Sequence, residues 1–332
     1  MEQPREDIRR YLLEAAPGAT AVSLAGDAST RRFYRLTLGD GSTRVLMDYG
    51  KPFADETDDM RLNRVFRDAG LPVPQILAAS PESGCLILED LGDHTLEALL
   101  LDRSGRPDHG SFSLLEQAVR LAVRIAEQGT AALERSERAG GPALDAKRFR
   151  FEMDYFLDKF AGAMRGCSRA PAGLREELHA LADRTARSPR RVFCHRDFHS
   201  RNLMMTERGG LVLVDIQDAR WGPDSYDLAS LLRDAYAEID EGWIEPLIGL
   251  YLSGLSNPPD PGPFRRRFHA VAAQRMIKAL GTFGHQVAVK GDGRYLQAAR
   301  RTVGRLRRIL PAAEETGPLA ERMLTAGLLD DL

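Results

Sequence analysis

The sequence predicts an α+β fold in which a small antiparallel β-sheet precedes a larger, mostly helical part. The first 90 residues contain five short apolar runs of β type, separated by turn residues. From residue 94 onward, apolar residues recur at helical spacing over eight stretches. A short joint near Glu89–Gly92 lies between these patterns. We therefore expect an N-lobe over residues 1–90 and a C-lobe over residues 91–332.

The N-lobe elements follow from turn and cap residues. Pro4 opens a helix over 5–15 and Pro17-Gly18 ends it, while a polar helix over about 55–69 stops at Gly70. The turn Gly39–Ser42 joins two strands as a hairpin. The predicted strands are Thr20–Leu24, Phe33–Leu38, Thr43–Tyr49, Gln75–Ala79 and Cys85–Glu89.

The C-lobe is predicted to be helical except at one place. Its helical stretches are 94–101, 112–135, 145–164, 172–187, 225–239, 242–254, 263–284 and 293–310. Two short apolar runs, Arg191–Cys194 and Leu211–Asp215, frame a polar loop, and we expect them to pair as strands.

Composition excludes several classes of protein. The chain of 332 residues is 43% hydrophobic and carries 46 Lys and Arg against 48 Asp and Glu, which does not indicate a nucleic-acid or membrane partner. We see no apolar run long enough to span a membrane and no secretory signal behind the charged start. Three cysteines suit a reducing compartment, so we expect a cytoplasmic protein, monomeric or weakly dimeric.

One segment carries the chemistry. His195-Arg196-Asp197-Phe198-His199-Ser200-Arg201-Asn202 is followed thirteen residues later by Asp215. A carboxylate such as that of Asp197 can accept a proton from a hydroxyl. The oxygen atoms of Asn202 and Asp215 are ligands that Mg²⁺ prefers, together with phosphate and water. The grouping suits phosphoryl transfer. A zinc site at His195 and His199 is disfavoured, because zinc needs three or four ligands.

This segment resembles the catalytic loop of the protein-kinase-like fold, HRD-x-x-x-x-N. Asp215-Ile216-Gln217 stands in place of the DFG motif and, with His199, resembles the aminoglycoside phosphotransferase family. Within that family, four stretches resemble the N-acetylmuramate/N-acetylglucosamine anomeric kinases of cell-wall recycling. They are residues 26–35, the loop through Met204, residues 215–232 and residues 274–281.

The resemblance implies an ATP- and Mg²⁺-dependent site in a two-lobe fold. It makes Asp197 the catalytic base, with Asn202 and Asp215 as metal ligands. It assigns structural roles to His195 and to Asp227, which would brace the loop. The backbone at Glu89 and Leu91 would bind adenine, and the turn between the first two strands would close over the phosphates, with Ser29, Thr30, Arg31 and Arg32 as its contacts.

Residues for the phosphate acceptor are predicted less directly. Arg201, Gln217, Asp218 and Arg220 are candidates for contact with sugar or phosphate, and a capped turn is an equal reading for the last three. Glu152 and Asp154 lie on an aromatic-rich helix, where we favour solvated acids over sugar binding. The region 264–308 holds twelve Lys and Arg and one acid, which favours a solvated basic face over an RNA or membrane surface. Arg275 and Lys278 alternatively favour an anionic sugar.

Two departures from the kinase pattern need an explanation. Met47 stands where kinases carry a lysine on the third strand, and the phosphate-binding turn holds only one glycine, Gly26. We expect an arginine to replace that lysine, the candidate cations being Arg31, Arg32, Arg44 and Lys51. Glu56 is the best candidate for its acidic partner.

The resulting function is that of a small-molecule kinase. The acceptor implied by the resemblance is the anomeric hydroxyl of N-acetylmuramate or N-acetylglucosamine. The alternatives are a kinase for another small alcohol, such as an aminoglycoside, a choline- or homoserine-like amine or another sugar, and a nucleotide-binding pseudokinase. An aminoglycoside site would be lined by acids to meet a polycation.

Overall fold

A computed structural model describes residues 3–24, 31–101, 110–167 and 171–332. The chain forms two compact units. The first combines residues 1–94 with 204–217, and the second combines residues 95–203 with 218–332. The segment 204–217 therefore groups with the N-terminal part, although sequence periodicity assigned it to the C-lobe. A division of the chain at residues 90 and 91 stays a prediction.

The first unit is built on a five-stranded sheet, as predicted. The strand order is β1-β2-β3-β5-β4, and every pairing is antiparallel. Two helices accompany it, α1 (Glu6–Ala15) and α2 (Asp58–Asp68). The strands are β1 (Thr20–Leu24), β2 (Arg32–Thr37), β3 (Thr43–Asp48), β4 (Ile76–Ser80) and β5 (Cys85–Glu89).

Strand alternation gives this sheet two different faces. Leu46 on β3 is fully buried in a cluster with Ile8 and Leu12 of α1. Burying a leucine side chain of this kind contributes about 1.5–3 kcal/mol. The next residue, Met47, points to the opposite face, and its strand neighbours in register are Phe33 and Leu86.

The segment 204–217 is held to the first unit by two backbone hydrogen bonds. The Met205 N–H donates to the His94 carbonyl at 2.7 Å, and the Leu213 N–H donates to the Pro72 carbonyl at 2.9 Å. The segment contains most of a two-stranded sheet of β7 (Leu203–Met205) and β8 (Leu211–Leu213). The predicted strand Leu211–Asp215 is thus shorter than expected.

The predicted pairing of the two short apolar runs is wrong. Strand β6 (Arg191–Cys194) pairs antiparallel with β9 (Arg220–Pro223), a strand that the sequence did not reveal. Its register places Cys194 opposite Arg220. The physical reason is that the β7–β8 hairpin closes locally and leaves β6 to pair with the chain that follows it.

The second unit is helical. Short π-helical segments at Ile125–Gly129, Leu157–Met164 and His285–Val289 continue three of its helices. The α-helices are α3 (Leu96–Leu100), α4 (Ser111–Arg124), α5 (Thr130–Arg135), α6 (Ala146–Phe156), α7 (Leu174–Ala186), α8 (Tyr226–Leu232), α9 (Glu241–Gly254), α10 (Pro261–Gly284), α11 (Leu296–Ile309) and α12 (Gly317–Thr325). None of the helices in the described ranges is long and apolar enough to cross a membrane.

Helix α8 ends earlier than the predicted stretch 225–239. The side chain of Asp234 accepts hydrogen bonds from the Tyr236 and Ser200 N–H groups, both at 2.7 Å. A side chain that binds backbone N–H groups in this way competes with helix formation. Arg305 of α11 then satisfies the carbonyls of Asp234 and Ala237. The chain after Leu232 is therefore an ordered loop.

Helix α10 packs closely against the π-helical segment that follows α6. A Cβ atom placed on Gly284 would lie 2.5 Å from the Lys159 carbonyl oxygen and 2.7 Å from the Phe160 Cα. By contrast, a Cβ atom on Gly304 of α11 would meet nothing within 4 Å. The absence of a side chain at Gly284 is thus what lets the two backbones approach.

We predict opposite effects of alanine at these two glycines. Gly284→Ala forces the two backbones apart and should lower the free energy of unfolding by about 1–3 kcal/mol, the usual effect of overpacking. Gly304→Ala should raise it by about 0.5–1 kcal/mol, because alanine favours the helix interior. Urea unfolding of both variants measures the difference. Equal stability of the two variants would show that α10 does not pack as described.

Candidate active site

The predicted catalytic loop follows β6 and is fixed by a buried carboxylate of α8. The N–H groups of His195 and Arg196 donate to the two carboxylate oxygens of Asp227 at 2.7 and 3.0 Å. His195 is fully buried, and Arg196 adopts a φ of 79°, a conformation that side chains rarely take. Paired hydrogen bonds of this kind hold a strained residue in place, which is typical of functional loops.

Asp197 lies among three cations. Lys278 Nζ is 2.9 Å from its Oδ1, Arg275 Nη2 is 3.8 Å from the same atom, and Arg196 Nη1 is 4.0 Å from Oδ2. Burial alone would raise the pKa of Asp197, but attraction to Lys278, Arg196 and Arg275 outweighs it and holds the pKa well below its usual range. The Asp197 carboxylate therefore stays ionised at neutral pH.

Asn202 closes the loop behind Asp197. Its side-chain amide donates to the Asp197 carbonyl at 2.9 Å, which directs the amide oxygen of Asn202 away from that carbonyl. Between them, burial lowers the pKa of His199, so that its imidazole is neutral at neutral pH. A neutral side chain next to Asp197 leaves the three cations as the charges that balance the carboxylate.

In the first unit, Asp215 follows β8 at a φ of 63°. Among the described non-glycine residues, only Asp215 and Arg196 have a positive φ. The Asp215 carboxylate is exposed and accepts hydrogen bonds from Arg31 Nη2 at 3.1 Å and from Gln217 Nε2 at 2.7 Å. The DIQ motif thus directs an oxygen ligand outward and orients it through its own glutamine.

Arg31 is the cation beside Met47. Its Nη1 atom lies 2.6 Å from Asp59 Oδ1 and 3.8 Å from Met47 Sδ. Tyr49 donates a further hydrogen bond of 2.7 Å to Asp59. An arginine paired with a carboxylate of α2 therefore occupies the neighbourhood in which kinases place a strand lysine.

The expectation that Glu56 is the acidic partner of the arginine beside Met47 is wrong. Glu56 lies before α2 and pairs with Arg61 and Arg64. Asp59, in the first turn of α2, is the carboxylate that meets Arg31. The sequence does not distinguish them, because both acids lie within four residues and only the packing of α2 on the sheet decides which one faces Arg31.

The joint after β5 is fixed by an arginine of the sheet. Arg35 Nε donates to Asp90 at 2.6 Å, and its Nη2 donates to Asp93 at 2.9 Å. The Glu89 N–H already donates to the Gln75 carbonyl at 2.9 Å. The backbone of Leu91 makes no hydrogen bond within the described ranges. Leu91 thus offers both backbone groups to a ligand, whereas the N–H group of Glu89 is already used within the first unit.

The candidate acceptor residues Asp218 and Arg220 bind each other. Asp218 Oδ1 lies 2.6 Å from Arg220 Nη2 and 2.9 Å from Arg196 Nη1. Arg196 also lies 3.6 Å from Glu152, which accepts from Gln274 at 2.9 Å. Glu152 is only 4% exposed, so the expectation that it is a solvated acid is wrong. It belongs to a charged network under the catalytic loop.

Arg201 and Asp154 also have partners within the second unit. Arg201 Nε donates to Glu97 at 2.8 Å, and its guanidinium lies 3.9 Å from the centre of the Tyr236 ring. Asp154 pairs with Arg175 and His179 near the surface.

Of the residues predicted to contact the nucleotide phosphates, Ser29 and Thr30 lie outside the described residues, and Arg32 begins β2 opposite Asp48.

The expectation of a solvated basic face over 264–308 is wrong for several of its cations. Arg275 and Lys278 turn toward Asp197, as described above. Arg301 and Arg305 donate to backbone carbonyls of the loop after α8, and Arg267 lies 3.2 Å from the buried Asp224 carboxylate. Several of these cations therefore have partners within the second unit and do not belong to a solvated face.

The donor set fits Mg²⁺ better than it fits zinc. In the described part of the chain, no cluster of three or more His, Cys, Asp or Glu side chains is arranged to hold a metal ion. Magnesium needs no such cluster, since it commonly takes one or two carboxylates and completes its shell with phosphate oxygens and water. The exposed Asp215 carboxylate and the oriented oxygen of Asn202 are ligands of that type.

The sequence of this chain matches a known protein family and is similar to named relatives. A model of the phosphotransferase enzyme family matches residues 20–269. Two relatives named N-acetylmuramate/N-acetylglucosamine kinase are each 32% identical. The relative from Neisseria meningitidis aligns over 89% of this chain and 87% of its own length, and that from Pseudomonas aeruginosa over 84% and 80%.

Solved structures with little sequence identity share the fold. A choline/ethanolamine kinase family protein from Mesorhizobium loti gives a TM-score of 0.62 at 16% identity, covering 96% of this chain and 98% of that chain. A spectinomycin phosphotransferase in complex with ADP and spectinomycin gives 0.61 at 12% identity, covering 98% and 99%. The predicted protein-kinase-like α+β fold is confirmed.

Proposed function

Because the chain belongs to the phosphotransferase enzyme family, we propose that it transfers the γ-phosphoryl group of ATP to the anomeric hydroxyl of N-acetylmuramate or N-acetylglucosamine. The observation that carries the proposal is the half-buried Asp197 carboxylate, kept ionised by cations in a loop that ends at Asn202. The four relatives named as kinases of these two sugars support the choice of acceptor. The corresponding role is cytoplasmic recycling of cell-wall sugars.

Asp197 positions the acceptor hydroxyl and receives its proton as the phosphoryl group leaves ATP. Its negative charge makes it a hydrogen-bond acceptor, and the ammonium of Lys278 fixes its orientation. Asn202 and Asp215 are the residues that would hold Mg²⁺. Bound Mg²⁺ neutralises charge on the β- and γ-phosphates during transfer.

In this proposal Arg31 takes the part of the missing strand lysine. Its guanidinium lies against Asp215 and Asp59, so it can exchange one carboxylate for a nucleotide phosphate without leaving the site. Arginine presents its donors in a planar fork that suits phosphate. The loss of the lysine at Met47 is therefore no reason to regard the protein as a pseudokinase. The contacts predicted for Ser29, Thr30 and Arg32 remain part of the proposal, as do those of Glu89 and Leu91 with adenine.

The charges around Asp197 also bear on the acceptor. Lys278, Arg275 and Arg196 surround the carboxylate that would meet the hydroxyl. A polycationic aminoglycoside would be repelled there, since like charges at close range raise the free energy of binding. A neutral N-acetyl sugar, or one bearing a carboxylate, suits these surroundings. This favours an amino sugar over the other alcohols.

An acceptor panel tests the proposal. The protein is assayed for ADP release with N-acetylmuramate, N-acetylglucosamine, choline and an aminoglycoside, and the products are identified by phosphorus NMR. We expect turnover with the two N-acetyl sugars and a phosphate on the anomeric carbon. The methyl glycoside of N-acetylglucosamine, whose anomeric oxygen is blocked, is the matched control and should be inert. Preference for choline or the aminoglycoside, or phosphorylation of the glycoside, would refute the assignment.

We predict that Arg31→Met weakens the use of ATP. Loss of a charge-assisted contact of about 1.5–3 kcal/mol should lower kcat/KM for MgATP by roughly ten- to a hundredfold. Arg31→Lys should recover part of this loss. Arg9→Met on the exposed face of α1 is the control and should leave kcat/KM unchanged. Unaltered kinetics of Arg31→Met would mean that another cation binds the phosphates.

We predict that Lys278→Met moves the acidic limb of the pH profile. Lys278 lowers the pKa of Asp197, so its removal raises that pKa and protonates the base at a higher pH. The fall of kcat/KM on acidification should therefore begin at higher pH in Lys278→Met than in the parent protein. Lys278→Arg, which keeps the charge, should restore the parent profile. A profile that Lys278→Met does not shift would contradict the role of Asp197 as the base.

A further inference from the structure

A cavity of about 250 Å³ lies in the second unit, away from the catalytic loop. It is formed by the end of α7, the end of β9, the first turns of α10 and the chain before α12. Its polar lining consists of three guanidiniums, three hydroxyls and one carboxylate, contributed by Arg184, Arg266, Arg267, Thr185, Ser188, Thr316 and Glu315. Neither the catalytic residues nor the candidate acceptor residues line it.

Three of the lining side chains carry buried polar atoms without a hydrogen-bond partner among the described residues. They are Nε of Arg184, Nε of Arg267 and Oγ1 of Thr185. Thr185 is only 2% exposed. Buried polar groups are nearly always hydrogen-bonded, and those that are not call for a bound molecule or ordered water.

The lining charge is positive. Arg267 shares its charge with the buried Asp224 at 3.2 Å. Arg184 and Arg266 have no carboxylate within ion-pairing distance in the described ranges. Glu315 is the one acid in the lining. With Asp224 and Glu315 counted against the three guanidiniums, the lining keeps one net positive charge, and Arg184 and Arg266 remain available to an anionic group.

The rest of the lining is apolar, with side chains of Pro223, Pro263, Ala270 and Val271. A site for phosphate alone would need no such surface. Small-molecule sites usually combine an apolar wall with a few polar groups that fix the orientation of the ligand. The combination here suits a phosphate group attached to a small organic body.

The cavity is separate from the site of phosphoryl transfer. Arg267 and Arg275 are eight residues apart on α10, which corresponds to about 12 Å along the helix. Arg275 contacts Asp197, whereas Arg267 faces the cavity. A ligand in the cavity therefore does not occupy the place of the acceptor hydroxyl.

We propose that this cavity binds a phosphate monoester of a small metabolite, with Arg184 and Arg266 as the principal phosphate contacts. The proposal does not depend on which alcohol the enzyme phosphorylates. It rests on the cavity itself, on the two guanidiniums of its lining that have no ion-pair partner in the described ranges, on the three unpartnered polar atoms and on the apolar wall.

Calorimetric titration of the full chain with glucose 1-phosphate and with inorganic phosphate tests the proposal. Arg184→Gln/Arg266→Gln removes the phosphate contacts. The matched control is Arg187→Gln/Arg265→Gln, which removes the arginine that directly follows α7 and a neighbouring arginine of α10, neither of which lines the cavity. We expect the cavity variant to bind the ester at least tenfold more weakly than the parent protein, and the control variant to bind it equally well.

The single variant Arg266→Gln distinguishes the loss of a phosphate contact from misfolding, because Arg266 is exposed. It should keep the thermal midpoint of the parent protein and still weaken binding of the ester. Inorganic phosphate binding as tightly as the ester would show that the apolar wall plays no part. Equal affinity of the parent and cavity variants, or no binding by the parent at about 10 mM ester, would overturn the proposal.

Discussion

The second unit is organised around one half-buried carboxylate, that of Asp197, among three cations. Without these cations, burial would raise the pKa of the Asp197 carboxyl group and so favour its neutral form. Lys278 and Arg275 reach it from α10, and Arg196 reaches it from the loop itself. The close backbone approach at Gly284 holds α10 against the π-helical segment after α6, and Asp227 holds the loop in its unusual conformation. Much of this packing therefore holds the negative charge of the Asp197 carboxylate beside its three cations.

The first unit also depends on contacts between a cation and carboxylates, here those of Arg31. Met47 gives the sheet no cation at the position where kinases have lysine, and Arg31 supplies one from the start of the neighbouring strand. Asp59 and Asp215 share that guanidinium. Because arginine reaches farther and binds in two directions, it can bridge a helix carboxylate and a candidate metal ligand at once. The methionine at position 47 therefore does not leave this part of the first unit without a cation.

The sequence predicted what depends on local pattern. The five-stranded sheet, the helical second part and the catalytic loop all follow from periodicity, turns and a contiguous motif. The pairing of β6 with β9, the acid that meets Arg31 and the end of α8 depend on contacts between distant residues and could not be predicted. Helix α12 was missed, although Pro318 near its start is a signal for it. The sequence makes Arg201, Asp218 and Arg220 candidates for contact with sugar or phosphate, and only the structure shows that each has an internal partner.

Replacement of Asp197 by asparagine tests the central claim most directly. Asparagine keeps the shape of the side chain and a hydrogen-bond acceptor but cannot carry the negative charge or take up a proton. Asp197→Asn should bind ATP about as well as the parent protein, measured by fluorescence or calorimetry, and its kcat with the sugar should fall by about 10²–10⁴-fold, the usual contribution of a general base. A variant that retains the parent kcat would contradict the claim that the ionised carboxylate of Asp197 carries the reaction.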